Sequence, residues 1–293
     1  MSLIASILLI AQVGPYTMPN PGGSAPRIPP PALEGREKKP KPAAVPSVPA
    51  VRPALQNCYA LAESDPSEAL VSADDALAGK SGDALADPLA CKAIALLALE
   101  RWKEAQDAFL AARDAVPQTD GATRAELEAG AAIAAEGQGQ FQAALDLFNR
   151  AQAQARQSGN TALAGRIARD KANSLFKLGR KAEAAASLNE ARAALPTDAP
   201  TLLLSARMAR ITGKLPEAQG FIERAATLAP LDAEVGLEGG LIAALSGRDD
   251  AARKSWQSVI ATAPGTNEAR QAQAWIAQLG PATPAAAPAP SGK

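Results

Sequence analysis

Three glycines, Gly179, Gly213 and Gly247, recur at a constant interval of 34 residues. Other residues keep the same register: Ala184, Ala218 and Ala252, then Pro196, Pro230 and Pro264. A fixed period of this length marks a chain of stacked supersecondary units, each packing on its neighbours instead of around one central core. Each unit reads as two helices. The glycine suits a left-handed turn between them, because it has no Cβ to collide with the backbone. The proline ends the second helix.

Composition points the same way. Of the 293 residues 47% are apolar but only 3% aromatic, so the core is built mainly from Ala and Leu, which favour helices over strands. Thirty Lys+Arg balance thirty Asp+Glu, leaving no global field to recruit nucleic acid or an anionic membrane. The chain has no histidine, which removes the commonest general base and metal ligand. Its two cysteines cannot complete a four-ligand Cys/His zinc site. The carboxylate pairs Asp74/Asp75 and Asp249/Asp250 are neighbours in sequence and do not face each other on a helix. Gly239-Gly240 has neither a preceding strand nor a following Lys-Ser/Thr, so it is no phosphate loop. No enzyme activity, metal or cofactor is expected.

The repeated residues resemble the tetratricopeptide-repeat (TPR) family, numbered here from 1 to 34 within each unit. Position 8 is Ala93, Ala132, Ala172, Ala206 and Gly240, small enough for the first helix (A) to approach the second (B). Position 15 is Gly139, Gly179, Gly213 and Gly247, and position 20 is Ala69, Ala105, Ala144, Ala184, Ala218 and Ala252. Position 24 carries a bulky plug in Phe109, Phe148, Leu188, Ile222 and Trp256; position 27 is small in Ala76, Ala112, Ala151, Ala191 and Ala225, then Val259. Departures occur at position 4, where the family's usual Trp is replaced by Leu89, Glu128, Ala168, Leu202 and Gly236. The spacing of the position-20 alanines also widens early in the chain, which requires extra turns or longer loops there. The fold class implied is all-α: a right-handed superhelical solenoid of about six hairpins over 54–280. Residues 268–279 form a last helix, with Ala269, Ala272, Ile276 and Leu279 facing the stack as a C-terminal cap.

The resemblance also implies a concave groove lined by positions 2, 5, 9, 12 and 13 of the A helices. In the third unit these are Glu126, Ala129, Ile133 and Glu136; in the fourth, Arg166, Arg169, Asn173, Phe176 and Lys177; in the fifth, Pro200, Leu203, Arg207, Arg210 and Ile211; in the sixth, Glu234, Leu237, Leu241, Ala244 and Leu245. The implied groove centre is basic with apolar neighbours, suited to a protein or peptide partner carrying an acidic segment. Arg169 and Asn173 match the first half of the carboxylate clamp of some TPR adaptors, but Leu204, Glu234 and Glu238 stand where the rest would be. Cys58 and Cys91 fall on the A helices of the first two units. Two readings stay open: a disulfide between neighbouring A helices, or two small buried hydrophobes.

At the N-terminus, Leu3 to Val13 is an apolar run too short to span a membrane but suited to a secretory signal or short anchor over 1–14. Residues 15–53 are proline-rich and expected as a disordered linker, with a similar tail over 281–293. These features place the chain in the periplasm or outside the cell, with no membrane-spanning domain. Two functions fit: a scaffold that holds a peptide or partner protein of the cell envelope in its groove, or an assembly subunit that docks through its ends or convex face.

Overall fold

The computed structural model of the chain describes residues 53–279. The apolar run over 1–14, the proline-rich stretch that follows it and the C-terminal tail lie outside the described residues. Thirteen α-helices follow one another, with no strand among the described residues: α1 (Pro53–Ser64), α2 (Pro66–Leu77), α3 (Ala86–Ala98), α4 (Trp102–Ala115), α5 (Gly121–Gly137), α6 (Phe141–Gln157), α7 (Thr161–Lys177), α8 (Lys181–Ala194), α9 (Ala199–Ile211), α10 (Leu215–Leu228), α11 (Ala233–Leu245), α12 (Asp249–Thr262) and α13 (Asn267–Gln278). They pair in order as six hairpins, α1/α2 to α11/α12, with α13 packed on α12 and α11. The solenoid and its cap are as the sequence implies. The early widening of the repeat has two causes: α5, α6 and α7 run to 17 residues each, against 13 or 14 in α8 to α12, and a longer connection with a 3-10 turn over Gly82–Leu85 separates α2 from α3.

The turn inside a hairpin is one device used five times. Gly139, Gly179, Gly213 and Gly247 sit at φ of +73°, +76°, +77° and +71°. The next residue's N–H then reaches back five residues to the A helix, as in Arg180 N to Leu175 O at 2.8 Å and Lys214 N to Ala209 O at 2.8 Å. This closes orphan carbonyls at the helix end. The second hairpin makes the same turn without glycine: Glu100 lies at φ 58°, and Arg101 N bonds Leu96 O at 2.9 Å. A side chain in that region crowds the backbone, so Glu100→Gly is expected to stabilise the chain by about 1 kcal/mol, read as a rise in the urea midpoint.

Packing between A and B helices explains the small and bulky positions. All six position-20 alanines are fully buried, and Phe109, Phe148, Leu188, Ile222 and Trp256 fill the space between helices. At Gly240 a Cβ would lie 2.2 Å from the Trp256 indole, so glycine is needed for this plug. One expected position differs: Ala76 is exposed, because the short α2 packs through Ala69 and Ala73 instead. The cap packs as expected, with Ile276 and Leu279 against the core of the last hairpin. Ala269 and Ala272 are buried as expected, and Trp275 joins them, its ring 5.3 Å from that of Trp256. Trp275 closes the core of the last hairpin.

At the other end, Cys58 of α1 and Cys91 of α3 are joined in a disulfide, their Cα atoms 5.7 Å apart. The bond ties the two A helices directly. Closing a loop of 33 residues restricts the unfolded chain by about 4 kcal/mol in the chain-entropy account, at the end where the repeat pattern is weakest.

Candidate functional site

Side by side, the A helices α5, α7, α9 and α11 present the face that the sequence marks as a groove. On α7, Arg166, Arg169, Asn173 and Lys177 share one stripe, since positions three and four apart stack on a helix. Successive helices are joined along this face by ion pairs. Arg207 of α9 meets Glu234 at 3.1 Å and Glu238 at 3.8 Å on α11, and Arg210 meets Glu238 at 2.6 Å. Arg169 of α7 meets Asp170 at 2.8 Å and, at 3.3 Å, Asp198, the residue that caps α9. Arg166 is only loosely paired, 3.9 Å from the exposed Glu126 of α5.

These contacts correct the expected basic groove in two respects. Arg169, Leu203 and Leu241 are not on an open wall: they are 4%, 4% and 6% exposed. Leu203 and Leu241 belong to the cores of the last two hairpins. Arg169, Arg207 and Arg210 are not free cations either, since each spends its guanidinium on carboxylates of its own chain. Burial alone would lower the Arg169 pKa, but Asp170 and Asp198 outweigh it and the guanidinium is held above its ordinary value. Burial raises the Glu234 carboxyl, with Arg207 pulling the other way. Accessible on this face are Phe176, Leu237, Ala244 and Leu245, all half-buried, the exposed Lys177, Pro200 and Ile211, and the half-buried Arg166 and Asn173.

Between α5 and α7 the join is of another kind. Glu136 is buried, and its carboxylate accepts from Asn173 Nδ2 at 3.2 Å and from the Ser174 hydroxyl, with no cation beside it. Burial pushes its pKa from the ordinary 4.5 up to about 7; Ser174 and Asn173 resist the rise, and the nearby Asp170 adds to it. The folded chain therefore keeps a proton that the unfolded chain gives up between pH 4.5 and 7. The stability this group contributes is fully present below 4.5 and is lost as pH rises through 7. Between about pH 5 and pH 8, Glu136→Gln should lose less urea stability than the parent chain. Equal losses would refute the assignment.

The sequence places Glu136 on the groove wall with Ala129 and Ile133, whereas all three are buried, and it gives no sign that Glu136 is joined to Ser174. Sequence reasoning also read Glu128 only as a departure from the family pattern, whereas Glu128 is buried between Arg113 at 3.3 Å and Arg150 at 2.8 Å. A usable signal exists for the later joins: Arg207 and Arg210 are followed 27 and 28 residues on by Glu234 and Glu238. Among the described residues no cluster of three or more His, Cys, Asp and Glu is placed to hold a metal ion, and no helix is long and apolar enough to cross a membrane.

No protein-family model and no curated protein matches the sequence. Solved structures do resemble it. A thermophilic TPR protein of Thermus thermophilus is 19% identical with a TM-score of 0.51, covering 65% of this chain and 96% of its own. PilW, a widely conserved type IV pilus biogenesis factor, is 20% identical with a TM-score of 0.58, covering 76% of this chain and 100% of its own. PilF of Pseudomonas aeruginosa is 16% identical with a TM-score of 0.54, over 76% of this chain and 97% of its own. Identities this low speak for fold and not for activity. With its glycine turns, small-to-bulky helix contacts and capping helix, the chain has the all-helical solenoid fold of the tetratricopeptide-repeat proteins.

Proposed function

We propose that the chain is a protein-interaction scaffold of the cell envelope that holds a partner segment along the A-helix face of α7, α9 and α11. The observation that carries this reading is the pattern of accessibility on that face. Phe176, Ile211 and Leu237 offer apolar contacts between ion pairs that are already closed within the chain. A partner gains little from Arg207 or Arg210, whose carboxylates it would have to displace. It gains from burying apolar side chains on Phe176, Ile211 and Leu237, while an acidic residue in the segment reaches Lys177 and the loosely held Arg166. The reading is non-enzymatic.

Three features support an envelope location. The apolar run Leu3–Val13 suits an export signal, the Cys58–Cys91 disulfide suits an oxidising compartment, and PilW, similar in fold, is a pilus biogenesis factor. A second reading, docking through another surface, is favoured by Leu228 and Leu231 around the α10–α11 connection, which are 43% and 75% exposed. Photo-crosslinking side chains placed at Phe176 and Leu237, and separately at Leu228 and Leu231, distinguish the two in cells. Crosslinks from the first pair alone are the expected result. Crosslinks from the second pair alone would replace the groove reading with the docking one, and recovery of the chain from the cytosol in reduced form would sink the envelope location.

A further inference from the structure

On the other side of α9 lies a cleft that the groove does not use. Ser205, Met208, Ala209 and Thr212 form a stripe on α9 turned away from the one that holds Leu203, Arg207 and Arg210. Helices α8 and α10 rise on either side, and the open space is about 180 Å³. Its origin can be read from the repeat. In the third hairpin the residue after Ala144 is Leu145, buried at 3% against Ala172 and Leu175 of α7. In the fourth hairpin the residue after Ala184 is Ala185, so the same junction is left unfilled. The walls and floor are mainly apolar, with Leu188, Met208 and Phe221 foremost.

The charge in this cleft is held differently from the charges on the groove face. Arg192 donates to Ser205 Oγ at 2.7 Å and to Asn189 Oδ1, and its guanidinium lies 4.4 Å from the Phe221 ring centroid. All of these partners are neutral, unlike those of Arg169, Arg207 and Arg210. Burial lowers the Arg192 pKa, which Glu217 only partly opposes. Glu217, the one carboxylate in the lining, is 3.6 Å from Lys214, and Lys181 adds a third cation at the rim. A half-buried guanidinium above an apolar floor, without its own carboxylate, is a complement to an anion attached to an apolar group. The volume is well below the roughly 300 Å³ at which small-molecule sites begin, so it suits one side chain and not a metabolite.

We propose that the α8–α9–α10 cleft is a second docking site, for a partner-protein segment that places an aliphatic side chain on Met208 and Leu188 and an adjacent carboxylate on Arg192. This site is independent of the groove on the opposite stripe of α9. The test uses fluorescein-labelled, end-blocked Gly-Leu-Asp-Gly peptide, with Gly-Leu-Asn-Gly and Gly-Ser-Asp-Gly as counterparts, titrated by anisotropy against the full chain. The Leu-Asp peptide should bind saturably, and each counterpart about tenfold more weakly or worse. Ala185→Leu, which fills the cleft as Leu145 does one hairpin earlier, should abolish binding while the melting temperature holds or rises. Arg192→Gln should weaken binding about tenfold, whereas Leu237→Ala on α11, which packs with the last hairpin and not with the cleft floor, should leave it unchanged. Absence of saturable binding up to about 1 mM overturns the proposal, as do equal binding of the Leu-Asn peptide, undiminished binding to Ala185→Leu or loss on Leu237→Ala.

Discussion

Replacing Trp256 with alanine is expected to destabilise the C-terminal hairpin by about 4 kcal/mol, in the range measured for large aromatic deletions from cores. The side chain is fully buried, packs on Trp275 at 5.3 Å and donates from Nε1 to Leu237 O at 3.0 Å. Its removal leaves a cavity over Gly240, takes the side-chain donor from the Leu237 carbonyl and strips the capping helix of its ring contact with Trp256. Rigid helices around it cannot collapse to fill that space. Stability in a solenoid is a sum of unit and neighbour terms, so the loss should stay local at first. The urea transition of Trp256→Ala should split, with α11 to α13 unfolding ahead of the rest; a single transition at the parent midpoint would contradict this. The reverse change, Gly240→Ala, attacks the same contact from the other side and should cost about 2 kcal/mol through overpacking.

Glu238→Gln is the second large effect, at about 3 kcal/mol. Glu238 is 5% exposed, and its two oxygens serve both Arg210 at 2.6 Å and Arg207 at 3.8 Å. A carboxamide keeps the shape but removes the charge, so Arg210 loses its carboxylate at 2.6 Å in a partly dry site while Arg207 keeps Glu234 at 3.1 Å. The cost comes from weakening the charge compensation of Arg210 and not from the intrinsic worth of the pair. Combining Glu238→Gln with Arg210→Met should therefore recover most of the loss, and a double-mutant cycle by urea denaturation measures how much. Simple addition of the two single costs would show that the residues do not act as a unit.

The hairpins were legible in the sequence because their contacts recur. Ala184, Ala218 and Ala252 meet the same kind of neighbour in each unit, so one physical requirement is written repeatedly at one spacing. The A-helix face was less legible for the opposite reason. Each join along it is different: Glu136 with Asn173 and Ser174, Arg169 with Asp198, Arg207 and Arg210 with Glu234 and Glu238. Nothing in a single repeat says whether an arginine will face solvent or a carboxylate of the next unit. Arg169 thus looked like a binding residue while it serves as a buried strut. Glu100 was hidden in another way, because it adopts the left-handed turn that glycine announces elsewhere.

The Cys58–Cys91 bond has a mechanical consequence. A scaffold anchored near one end and loaded at the other bears tension along its chain, and a stacked array yields hairpin by hairpin from its weakest unit. Between Cys58 and Cys91 the covalent link carries that load, so α2 and most of the segment around it cannot be drawn out. A pulled chain would come up short by about 110 Å of contour length relative to its reduced form, the span of 33 extended residues. The hairpin whose repeat pattern is faintest is thus the one that force cannot open.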